Sequence, residues 1–230
     1  MAVLHDEEFG DITIRRSARA SQVKLRVAPN GSLRASMPLY APLFLLKRLV
    51  KASRPQLRRM LAEAQPVAAY YNGQQVGKSH VILVTASARS FSVKRDKQHI
   101  FVTLPPTRQL EDADVTQEIR KNVIEALRAE AKSYLPRRLE YLAKQHGFTY
   151  ANVRFSHASS RWGSCSSNGT ISLNIALMKL PFELIDYVLI HELSHTRHMN
   201  HSQAFWGLVA QGDTNYKEHR RALRDETPAI

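Results

Sequence analysis

Two histidines four residues apart, with a glutamate directly after the first, stand at positions 191–195 as HELSH, and this pattern limits what the chain around it can be. The residues act together only on a helix. A spacing of four is a little over one turn, so His191 and His195 share a face and reach a single metal ion. Glu192 then sits about 100° round from His191, where its carboxylate can hold and deprotonate a water without ligating. The flanking sequence agrees. Pro181 suits a first helical turn, Glu183 and Asp186 lie near its positive end, and Ile185, Val188, Leu189 and Leu193 make a buried stripe.

Zinc is the metal that this pairing suits, one ion per chain. A zinc that does chemistry keeps three protein ligands and one open position, so a third ligand is required. His201 is favoured. On an unbroken helix it would lie about 9 Å beyond His195 and about 240° round, but Asn200 tolerates the left-handed conformation that ends a helix and turns the chain back. Ser202 then suits the N-cap of a second helix over 203–211, stopped by Gly212. His198 is the rival, because it shares a face with His191 and His195. Three successive ligands would nevertheless span about 10 Å of helix axis, too long for tetrahedral closure.

Before this helix, 153–156 reads as a strand and 160–175 as a hairpin around Asn168 and Gly169. Residues 170–175 alternate like an exposed sheet edge, to which an extended peptide could add as a further strand. Thr170, Ser172 and Asn174, with Arg161 and Trp162, are therefore candidates for binding such a peptide. Tyr187, Tyr216, His219, Arg161 and His157 are candidates for stabilising charge on a carbonyl oxygen. Trp162 and Trp206 read as core or cleft-wall aromatics, Cys165 as a small buried hydrophobe, and His5, His80, His99 and His146 as surface histidines.

With 230 residues the chain can bury a core without disulfides, and its fold class reads as α+β. Residues 113–230 form a C-terminal region, opening with a long amphipathic helix over 115 to about 146 that Gly147 stops. Residues 1–112 form a basic N-terminal region. There, alternation over 11–37 predicts a small antiparallel sheet with a turn at 29–31, and helical spacing over 43–64 predicts two pieces separated by Pro55. Further strands are expected at 81–85, 91–93 and 100–104. Pro105, Pro106 and the acidic stretch 111–114 mark the expected boundary.

The net charge is +13, and residues 1–66 hold 12 basic against 5 acidic side chains, more than half of the excess. Such a surface attracts nucleic acid, anionic membrane or acidic proteins, with Arg54, Arg58 and Arg59 as the candidate phosphate contacts. The other reading is a solvated face that aids solubility, since the basic residues form no dense run. No apolar run approaches the roughly 20 residues of a membrane span. The acidic start and the single cysteine, Cys165, suit a cytoplasmic protein.

HELSHTRHMNHSQAFW (191–206), preceded by SRWGSCSSNGTISLNIALMKLP (160–181), resembles the YgjP-like metallopeptidase family, which is related to the SprT and WLM zinc proteases. IRRSARASQVKLRV (14–27) resembles that family's opening strands more loosely. The resemblance implies a zincin-type fold, His191, His195 and His201 as zinc ligands, Glu192 as catalytic base and a peptide or protein substrate. Ser194 stands where many relatives carry Cys. Besides a peptidase, the residues allow a DNA-associated protease or nucleic-acid-binding module of the SprT-like type, and a zinc hydrolase of a non-peptide amide or ester. Retention of Glu192 argues against a purely structural zinc, which needs no base.

Overall fold

Alternating apolar residues build the first sheet. Strands β1 (Ala2–Asp6), β2 (Gly10–Arg16), β3 (Lys24–Val27) and β4 (Leu33–Met37) lie in the order β1-β2-β4-β3. Ile12, Ile14, Leu33, Ala35 and Met37 point to one face and are buried there with Leu46, Val50 and Leu57 of helix α1 (Leu43–Glu63). The sheet is mixed rather than purely antiparallel, because β2 and β4 run parallel between two antiparallel pairs. Helix α1 is continuous through Pro55, not broken into two pieces. Leu46, Val50 and Leu57 fall on both sides of the proline and share one core, and this burial holds the helix across the missing N–H.

The computed structural model describes residues 2–27, 32–63, 70–87 and 90–230, so the turn expected at 29–31 lies outside the described residues. The chain divides into two units, 1–69 and 70–230. This boundary falls well before the one expected after residue 112. The reason is the second core. Strands β5 (Gln75–Val76), β6 (His80–Ala86), β7 (Ser92–Asp96) and β8 (His99–Leu104) form a sheet in the order β5-β6-β8-β7. Its Val76, Ile82, Ile100 and Val102 are buried with Val115, Ile119 and Val123 of helix α2 (Ala113–Gln145), so the sheet belongs with the helix that follows it.

A polar clip fastens the two. Glu130, buried midway along α2, accepts hydrogen bonds from Lys78 N (2.7 Å), Ser79 N (2.9 Å), Ser79 Oγ (2.8 Å) and His80 Nδ1 (2.6 Å). Gly77, at φ +63°, has no room for a side chain because a Cβ would meet this carboxylate. Burial works against the charge of Glu130, but the donors outweigh it and hold the carboxyl below its ordinary value. His80 is therefore a buried partner with 4% of its surface exposed, not a surface histidine.

A third sheet follows, built from β9 (Asn152–Ser156), β10 (Gly163–Cys165) and β11 (Thr170–Asn174) in the order β10-β11-β9. A 3₁₀ turn, Ile175–Lys179, leads to helices α3 (Phe182–Ser194), α4 (Gln203–Gly212) and α5 (Tyr216–Ala222). Arg138 of α2 grips Asp186 of α3 with two hydrogen bonds of 2.8 and 2.6 Å, beside the apolar contacts of Leu135, Leu139, Ile185 and Leu189. The fold is α+β, and no helix among the described residues is long and apolar enough to cross a membrane.

Candidate metal centre

Helix α3 ends just where its histidines are needed. Pro181 caps its start. At its far end the backbone tightens, with Thr196 N donating to Leu193 O (3.0 Å) and Arg197 N to Ser194 O (3.1 Å), while Ser194 Oγ and Thr196 Oγ1 bond back to Ile190 O (2.8 Å) and Leu193 O (2.7 Å). His195 is the C-cap residue, so the turn begins there and not at Asn200. Asn200 does not adopt positive φ: among the described non-glycine residues only Lys97 does. The turn over 195–200 brings the chain round without a left-handed residue.

That turn places His201 beside the helix. His201 Nε2 lies 3.3 Å from His191 Nε2, and one ligating atom from each of His191, His195 and His201 lies within 4.8 Å of the others. His198 is not part of the cluster, but its backbone oxygen is. His195 Nδ1 donates to it over 3.0 Å, which fixes the ring and leaves Nε2 with a free lone pair. Burial above all, with His195 and His201 adding to it, pushes His191 down to about 3, so its ring is neutral at physiological pH, the form that binds metal. Burial lowers His195 as well.

Phe205 supports all three rings, and the sequence reading passed over it. Ser202 accepts a hydrogen bond from Phe205 N (3.4 Å) and caps α4 as expected, which swings the fully buried Phe205 ring to 5.0, 4.5 and 4.8 Å from the centroids of His191, His195 and His201. Only an apolar residue four positions after a candidate ligand, on a helix of its own, hinted at this role. Trp206 lies nearly parallel to His201 at 5.6 Å and to Tyr216 at 5.7 Å. Gly212 ends α4 against α3, where a Cβ would come within 2.8 Å of Ile190 Cγ2.

Glu192 points to the other flank, against β10. It is 5% exposed, and a Cβ at position 163 would lie 2.6 Å from its Oε1, so Gly163 makes the space for the carboxylate. Oε2 of Glu192 and Nδ1 of His191 have no partner among the described residues. Burial pushes Glu192 up to about 8, with the Arg161 charge opposing. Burial, and then the Glu192 charge, push the Cys165 thiol up as well, so this cysteine lines the same flank in its unreactive form.

The remaining candidates scatter. β11 is the central strand, hydrogen-bonded to β10 on one side and β9 on the other, so Thr170, Ser172 and Asn174 offer no free edge to a peptide. The parallel β9 covers the side that the sequence left open. Asn174 is wholly buried and structural: its Nδ2 donates to Ala158 O (2.6 Å) and Arg161 O (2.8 Å), shaping the loop that carries Arg161 and the half-buried Trp162. The edge beside α3 is β10. Tyr187 lies on the His191 side, ring centroids 6.0 Å apart, with burial pushing its hydroxyl up to about 12. His219 sits 6.4 Å beyond Tyr187, held by Asp213 at 2.7 Å. His157 lies instead within the influence of Arg120 and Arg128. In the 1–69 unit, Arg54 is paired with Asp6 and Glu8 at 3.4 Å each and Arg58 with Glu8, while Arg59 is exposed. Two of the three arginines considered for phosphate thus spend their charge within the fold.

A cluster of three imidazoles beside a buried glutamate, built on a helix packed against a small sheet, belongs to the zincin-like class of metallopeptidase. The family described as "YgjP-like, metallopeptidase domain" matches residues 21–226, and the chain belongs to that family. It is a metal-dependent protease. Among solved structures, the crystal structure of the metallopeptidase zymogen of Pyrococcus abyssi abylysin is similar, with 29% identity over 39% of this chain and 92% of that chain and a TM-score of 0.35. No curated protein matches the chain.

Proposed function

We propose that this chain is a zinc-dependent peptidase, with His191, His195 and His201 holding one zinc per chain and Glu192 acting as general base. The observation that supports it is the approach of three imidazole nitrogens to within 4.8 Å of one another beside a buried carboxylate oxygen with no partner among the described residues. The donor set suits the ion: the two Nε2 atoms, 3.3 Å apart, are near enough for one ring to donate to the other or for both to hold one cation, and three nitrogens leave one position of a tetrahedron open. Zinc held there supplies a Lewis acid for the scissile carbonyl and makes water a competent nucleophile at neutral pH. Glu192 accepts the proton of the attacking water and delivers it to the amide nitrogen as the C–N bond breaks. Burial alone favours its neutral form, and a cation among the imidazoles favours the carboxylate that a base requires. The peptide lies extended along β10, the sheet edge beside Glu192, where backbone groups are open to pairing. Arg161 and Trp162 flank that edge. The single cysteine suits a cytoplasmic setting.

The test is the pair of metal content and turnover in Glu192→Gln. The variant should retain zinc and lose peptide hydrolysis by about a hundredfold to ten-thousandfold. Turnover like that of the wild type would remove Glu192 from the mechanism, and absence of zinc from the wild type would reject the site.

A further inference from the structure

Beside the metal centre, α4 and α5 enclose a cleft lined by Gln203, Trp206, Tyr216, Lys217, Arg220 and Arg224. Its chemistry is one-sided. Three cations line it with no acid, and among the described residues none of the three is ion-paired. The Arg220 guanidinium lies 4.5 Å over the Trp206 ring, and the same indole stacks on His201, so the cations begin one side chain away from the ligand cluster. Arg220 is also the cation whose charge acts on Tyr187, on the His191 side of the cluster. The nearby acid Asp213 is engaged by His219 at 2.7 Å and does not neutralise the cleft.

From this placement we infer that the α4–α5 cleft is a specificity subsite that receives a carboxylate of the peptide substrate, so that the enzyme prefers acidic sequences near the bond it cuts. The inference rests on the peptidase reading of the adjoining centre. Unpaired arginines form bidentate hydrogen bonds with carboxylates, and the apolar Trp206 wall strengthens such contacts by excluding water from one side. A nucleobase fits less well. The usual platform for a base is a free aromatic face, and here the indole is already engaged by His201, Tyr216 and Arg220. The carboxylate gains most when the rest of the peptide is already held along β10, since the second contact is then intramolecular.

The experiment uses the zinc-loaded full chain and peptides that differ only in Glu, Gln or Lys at successive positions around a cleaved bond. At one position the wild type should cleave the Glu peptide with a kcat/KM about tenfold or more above the Gln peptide, the scale of one charge-assisted contact. That ratio should shrink as salt rises. Lys217→Glu combined with Arg224→Glu should reverse the order and favour Lys, a gain that misfolding cannot produce. Arg221→Gln, on the same helix but outside the cleft, should keep the Glu preference. Peptides with free and amidated C-termini separate a side-chain carboxylate from a terminal one. Equal cleavage of Glu and Gln peptides by the wild type, or an unchanged order in the double variant, overturns the subsite. So does a mixed-sequence oligonucleotide that binds the wild type in place of the acidic peptide and loses its affinity in the double variant. If no peptide is cleaved, the peptidase reading itself fails. Calorimetric titration of the Glu and Gln peptides then judges the cleft, with selective binding of the acidic one that the double variant abolishes supporting it and equal or absent binding refuting it.

Discussion

His201 and His198 illustrate how differently two histidines three residues apart serve one centre. The side chain of His201 meets the Nε2 of His191, whereas His198 contributes only its backbone oxygen, to the Nδ1 of His195. Replacing His201 by Ala should therefore weaken zinc by roughly a hundredfold or more, the share of one ligand in a structural zinc affinity. His198→Ala keeps the carbonyl and should leave affinity unchanged; competition with a chelator measures both. Gly163 is equally specific. In Gly163→Ala the new methyl meets Oε1, Cγ and Cδ of the buried Glu192, so the whole side chain must shift. Zinc content should be retained while kcat falls about a hundredfold, the usual penalty of displacing a catalytic group by about 1 Å. A fall in zinc content would mean that the glycine serves the ligands.

The elements show what the sequence could and could not convey. Helix α3 was legible because the four-residue spacing of His191 and His195 matches the helical period, and the Ser202 cap of α4 because capping is a local property. The centrality of β11 was not. Which strand sits at an edge depends on β9, whose parallel pairing is made across a crossover that local alternation does not record. The chain returns to place His201 beside His191, but not through a left-handed Asn200. Asn200 is the obvious breaker by residue type, but α3 ends at the His195 C-cap, where Thr196 N and Arg197 N turn to the i−3 carbonyls of Leu193 and Ser194. Likewise Pro55 looked like a break because propensity is local, and tertiary burial of Leu46, Val50 and Leu57 overrode it.

Across the 70–230 unit, the Glu130 clip joins the β5–β8 sheet to the helix that also braces α3, and its charge state links stability to pH. Its carboxyl is held below the ordinary 4.5, so between that value and the lower folded value the unfolded chain binds more protons. The stabilisation is fully present above 4.5 and is lost as pH falls through the folded value. Glu130→Gln should accordingly cost about 1–3 kcal/mol at neutral pH, the worth of hydrogen bonds to a buried charge. The gap to the wild type should close in acid, as denaturant unfolding at stepped pH would show. A gap independent of pH would mean that the clip acts through shape alone. The same unit carries its own optical probe. Trp206 lies parallel to His201, and the only other indole is Trp162, so Trp162→Phe leaves one emitter in contact with a ligand ring. When zinc draws on His201, the electron density facing that indole changes. Emission intensity in Trp162→Phe should then follow zinc occupancy one for one, giving a label-free readout of loading in solution and at rates too fast for equilibrium dialysis.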